Sequence, residues 1–127
     1  MTYLNDRVEW IAVDTIIKGG WGSIDSFVIG ERPAKKLTLK EWRSLLRYKR
    51  KDECYEYSYN KLKTEGFRMA LCYSIGEYDG EEIFLHENGH HRLAAAIALG
   101  YKYIPYIRGN YFANFNGEEL IYPQQPN

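Results

Sequence analysis

The 127-residue chain has no excess of either charge, with 17 Lys and Arg standing against 17 Asp and Glu. A protein that neutralises many phosphates along a polymer carries a basic surplus, so binding to extended nucleic acid is not expected. A local pocket for one small phosphate compound stays open. Cysteine is scarce: Cys54 and Cys72 are too few for a disulfide framework and are not spaced as a C-x-x-C metal motif. A reducing, cytoplasmic setting is therefore expected. No apolar run approaches the roughly 18–20 residues that span a bilayer. Residues 1–10 carry charges and no apolar stretch. Neither a membrane anchor nor a secretory leader is expected. The chain also lacks internal repeats and low-complexity tracts.

What is present suits one packed domain over residues 1–127. Hydrophobic residues make up 45%, enough for a core. The 12 tyrosines are unusual for this length, and their amphipathic rings fit a polar-rimmed core, a stacking surface or a subunit interface. Residues 10–13 read as a short strand that 16–17 continue, and the glycines in 18–23 make a loop in which Trp21 is either a lid or a buried anchor. Residues 26–29 read as another short strand. Thr38 and Glu41 form a capping box before Leu39, Trp42, Leu45 and Leu46 at helical spacing. The basic run of Arg43, Arg47, Lys49, Arg50 and Lys51 is accounted for by the negative end of that helix. A second helix is predicted over 52–65, closed by Gly66. Strands at 69–75 and 82–86 flank an Asp79-Gly80 turn, and Pro105 puts the strand at 103–107 near an edge or bend. Residues 109–122 read as a hairpin turning at Asn116-Gly117, and 123–127 as a polar tail.

The informative segment runs from Phe84 to Ile107: strand, glycine turn, polar helix start, alanine-rich helix, Gly100, strand. A glycine turn feeding a helix presents unpaired amides and a partial positive charge, a ready anion site. His90, His91 and Arg92 add donors in the first turn. Cations there oppose the dipole, so the three together ask for an anionic partner, or else for a neighbouring carboxylate within the protein. His86-Glu87-Asn88-Gly89-His90 also spells His-Glu-x-x-His. A zinc protease needs that pattern on unbroken helix, whereas here Asn88-Gly89 interrupts it and no histidine outside the segment could serve as a third ligand. No residue set is read as a metal site.

Glu87-Asn-Gly-His-His-Arg-Leu-Ala-Ala-Ala, then Leu99-Gly100 and Tyr103-Ile-Pro-Tyr-Ile107, resembles the signature of the ParB/sulfiredoxin superfamily. The resemblance extends over about residues 8–108 and is strongest over 62–108. It implies an α/β fold whose glycine turn and helix grip nucleotide phosphates. Members bind and hydrolyse CTP, use ATP, or use ADP to phosphorylate free serine, and some relatives are described as nucleases. Gly89 matches the glycine turn, and His91 and Arg92 match the His-Arg of sulfiredoxin and the kinase. His90 stands where sulfiredoxin has its reactive cysteine, which neither Cys54 nor Cys72 replaces. His90 and His91 also replace the Glu-Arg of the partition proteins, and nothing after residue 108 resembles their DNA-binding domain.

These readings converge on a single-domain α/β (α+β) mixed sheet with packed helices. Gly89, His90, His91, Arg92 and Arg68 would hold a nucleotide (ATP, ADP or CTP) with Mg2+. Glu87 and His90 are the candidate catalytic groups for phosphoryl transfer or hydrolysis. The acceptor, or a protein partner, is not identified, and a homo-oligomer stays open. The alternatives are a non-catalytic regulatory or interaction protein of phage or mobile-element type on the same fold, and a nuclease or DNA-binding module.

Overall fold

The computed structural model describes residues 8–24 and 35–109. The strand expected at 26–29, the hairpin at 109–122 and the tail lie outside these residues, save Gly109. Five strands form one mixed sheet in the order β1-β5-β3-β4-β2. Strand β1 (Glu9–Ala12) pairs antiparallel with β5 (Tyr103–Arg108). Strand β5 pairs parallel with β3 (Leu71–Tyr78), and β3 forms an antiparallel hairpin with β4 (Glu81–Asn88) through Asp79 and Gly80, both at positive φ. The expected mixed α/β class is observed.

Three local expectations are corrected. Residues 16–17 do not continue β1: the ladder to β5 ends at Ala12↔Tyr103, and the chain turns into a short helix, α1 (Val13–Ile17), which buries Ile16. The glycine loop contains a two-residue strand, β2 (Gly22–Ser23), parallel to the end of β4. Gly22 permits it, because a Cβ there would lie 2.2 Å from the Lys35 carbonyl oxygen. Pro105 sits in an interior strand, not an edge strand. The missing amide is tolerated because the register with β3 begins only at Tyr106, so Pro105 is paired with Trp10 of β1 alone.

Helix α2 (Leu39–Lys49) starts at the expected capping box, with Thr38 and Glu41 satisfying each other's amides. It buries Trp42, Leu45 and Leu46, and Trp42 Nε1 donates to the Trp21 carbonyl at 2.9 Å. Trp21 is the buried anchor, not a lid: its ring lies 5.2–5.5 Å from those of Tyr106, Tyr73 and Phe84. Helix α3 (Glu53–Glu65) is capped by Asp52 and closed by Gly66 at φ +73. Helix α4 (His90–Ala98) packs against both α2 and α3. Ala94, Ala95 and Ala96 are fully buried, so small side chains allow this central helix its close neighbours. Leu71 and Tyr73 of β3 and Ile104 and Tyr106 of β5 join the principal core, as period-two alternation requires. Many of the tyrosines are thus core or core-flanking. Among the described residues no helix is long and apolar enough to cross a membrane.

Leu45 is fully buried in the principal core. Leu45→Ala should cost about 2–5 kcal/mol of stability through lost burial and the cavity left behind, read as a lower urea midpoint with an unchanged slope.

Candidate phosphate site at the start of α4

Strand β4 delivers Glu87 and Asn88 to a turn whose pivot is Gly89, at φ 99 and ψ 30. A Cβ on Gly89 would lie 2.6 Å from Leu71 Cγ and 3.2 Å from an Arg92 guanidinium nitrogen. Both the left-handed backbone and the close approach therefore require glycine. The first helical bond runs from the Leu93 amide to the Gly89 carbonyl at 2.8 Å. The helix has no side-chain cap and no acidic residue in its first turn.

The three first-turn residues diverge. His90 turns inward, only 6% exposed, with Nε2 2.6 Å from the Ser23 hydroxyl. His91 leans toward α3, with Nε2 2.7 Å from Asp52 Oδ2. That bond is the first cause of an Asp52 carboxyl held below its ordinary value. Arg92 donates to the Met69 carbonyl at 3.0 Å and to Asn88 Oδ1 at 3.3 Å. Glu87 accepts from the Ser74 hydroxyl at 2.8 Å. The three donors therefore do not converge on one point.

A polar pocket of about 400 Å³ opens here, lined by Glu87 to Arg92 together with Lys49 from the end of α2 and Ser58 of α3. A second cavity, of about 220 Å³, adjoins it through Ser58 and Arg92 and holds Arg68, Tyr57, Lys61 and Phe67 in its wall. The fold thus brings Glu87, Gly89, His90, His91 and Arg92 to one pocket and places Arg68 in its neighbour. Sequence reading placed Asn88 inside the motif without giving it a role, and missed Lys49, Ser58, Asp52 and Ser23 as members of this region. Of these four only Lys49 carried a signal, inside a basic run that the helix dipole accounted for.

Beneath the pocket lies a buried polar seam. His86 and His90, two ends of the His-x-x-x-His spelling, are on a strand and a helix, their rings 4.2 Å apart and nearly perpendicular. His86 is fully buried, its Nδ1 is 2.7 Å from the Tyr106 hydroxyl, and its Nε2 has no hydrogen-bond partner among the described residues. Burial, then the charges of His90, Arg92 and Lys49, hold its pKa well below the ordinary histidine value. Burial also keeps Tyr106 a neutral phenol.

No protein-family model, curated protein or solved structure matches this chain.

The seam gives a pH prediction. His86 is neutral in the fold, while in the unfolded chain it takes up a proton below about pH 6.5. The unfolded state then binds more protons, so stability is full above that pH and falls as the pH is lowered through it. The slope tends to the one-proton limit of about 1.4 kcal/mol per pH unit. Urea melts from pH 7.5 to 5 should show this loss, and His86→Gln should flatten the curve relative to the wild type.

Proposed function

We propose that this chain binds a nucleotide through its phosphates at the N-terminus of α4 and that the reaction is phosphoryl transfer or nucleotide hydrolysis. The observation that carries the reading is the glycine-capped helix start opening on a polar pocket that also holds Lys49 and Arg92. Main-chain amides at the positive end of a helix, with two permanent cations beside them, suit a phosphate better than any neutral ligand. The adjoining cavity, with Tyr57 and Arg68 in its wall, offers room for the nucleoside. The likeness of the Gly89-His90-His91-Arg92 segment to the ParB/sulfiredoxin motif supports the same ligand class, with ATP, ADP and CTP as the candidates.

Glu87 and Asn88 bring oxygen donors to the pocket, the hard donors that Mg2+ accepts beside phosphates. When bound, the ion would neutralise phosphate charge, and Glu87 is the residue that would hold it. His91, tied to Asp52, stands at the rim, and His90 shapes the pocket floor through Ser23.

A second reading, a non-catalytic regulatory or interaction domain, is favoured by a specific observation. His91 and Arg92 already have partners within the protein, so they do not need an anion for their hydrogen bonds.

A thermal-shift panel separates the two readings. ATP, ADP, CTP and GTP are each tested with and without Mg2+. Ligand at 100 times its dissociation constant should add about 2.7 kcal/mol and raise the melting temperature. Arg92→Ala and Lys49→Ala, each compared with its own ligand-free melt, should lose most of the shift. No shift with any nucleotide would leave the interaction domain as the reading.

A further inference from the structure

Beside the phosphate pocket the N-termini of α3 and α4 meet. There Asp52, Cys54 and His91 gather, one ligand atom from each lying within 4.8 Å of the others. Asp52 and His91 are 39 residues apart in sequence, so no local spacing announces the cluster. The carboxylate is already oriented: Oδ1 accepts from the Tyr55 amide at 3.2 Å as the helix cap, which leaves Oδ2 turned to His91. Cys54 is exposed, Asp52 is exposed and the His91 side chain is half-buried, so an ion can enter from solvent.

One thiolate, one imidazole and one carboxylate form a mixed set of intermediate softness. Magnesium and calcium prefer oxygen alone, whereas zinc accepts all three donor types. Two anionic ligands also balance a divalent charge, which offsets repulsion from Arg50 and Lys51 on the same loop. A tetrahedral zinc ion would need donor atoms about 3.4–3.6 Å apart, from metal–ligand lengths near 2.0–2.3 Å. The His91 Nε2–Asp52 Oδ2 pair, 2.7 Å apart, would open to admit the ion, and the exposed Cys54 side chain would swing in to complete the set. Three protein ligands leave a fourth position for water or an anion, the pattern of an open rather than a closed site.

We propose that Asp52, Cys54 and His91 bind one zinc ion, which ties the start of α3 to the start of α4 at the rim of the phosphate pocket. On binding, Cys54 loses its thiol proton to solvent, as does any proton between His91 Nε2 and Asp52 Oδ2, and the metal takes its place. This site does not depend on nucleotide binding.

The test uses the untagged full chain, reduced and chelator-treated, titrated with Co2+ as a spectroscopic probe in the absence of nucleotide. A thiolate-to-cobalt charge-transfer band in the near ultraviolet should grow to one ion per chain and vanish when Zn2+ is added. Cys54→Ser should abolish the band, and His91→Ala should weaken zinc affinity at least about tenfold. Cys72→Ser, at a buried position that is not one of the three ligands, should leave the band intact. Circular dichroism of each variant verifies the fold. A wild-type titration without the band, or a band that survives Cys54→Ser, overturns the proposal. Arg92→Ala, which lacks no ligand of this cluster, should keep the band even where it abolishes nucleotide shifts, so the two readings fail separately.

Discussion

At Gly89 the backbone passes so close to Leu71 that a single added carbon would overlap it, and the geometry around the candidate site follows from that contact. Leu71 opens β3 and is fully buried, so the turn is fixed against the core and not against a mobile neighbour. With the turn fixed, the direction of α4 is fixed as well. Successive first-turn residues are then distributed by the roughly 100° rotation of the helix: His90 into the core, His91 toward α3, Arg92 back over the start of β3. A substitution at Gly89 would move all three together.

The seam under the turn is costly. An orphaned, buried ring nitrogen such as His86 Nε2 costs about 1–3 kcal/mol against a packed apolar residue. The compensations on view are the Tyr106 hydroxyl on the other nitrogen and aromatic packing against Trp42 and His90. The His90–Ser23 bond, in turn, ties the two-residue β2 to the helix that begins after β4. Thus the histidines that resemble a metal motif in spelling act in the fold as polar connectors between sheet and helix.

The sheet and the long helices were legible because local chemistry and packing agree there. Thr38 and Glu41 cap α2, Gly66 closes α3, and Asp79-Gly80 turns the hairpin, each on local grounds that the core does not oppose. Elements set by partners distant in sequence were not legible. Residues 16–17 have strand propensity, but β5 offers no edge beyond Tyr103, and helix α1 buries Ile16 instead. Two residues of β2 are too few to show a period, and they form a strand because β4 lies beside them. For the site, the chain segment from Glu87 to Arg92 was readable as one unit, since a glycine turn and a helix start are local. Lys49, Ser58 and Asp52 come from other elements, and only the packing of α2 and α3 on α4 brings them near.

The balance of charge at this helix start argues for a use beyond folding. Arg92 is a permanent cation at the positive end of α4, which costs about 0.3–1 kcal/mol where an acidic residue would gain as much. It donates to the Met69 carbonyl and to Asn88 Oδ1, which hold the guanidinium over the approach to β3. His91 does meet a carboxylate, but Asp52 is exposed to water, where an ion pair contributes little to stability. Lys49 adds further positive charge to the same pocket. A helix start selected for stability alone would carry Asp, Ser or Glu in its first turn. On the function proposed above, an anion at this helix start would turn the cost of a first-turn cation into a gain.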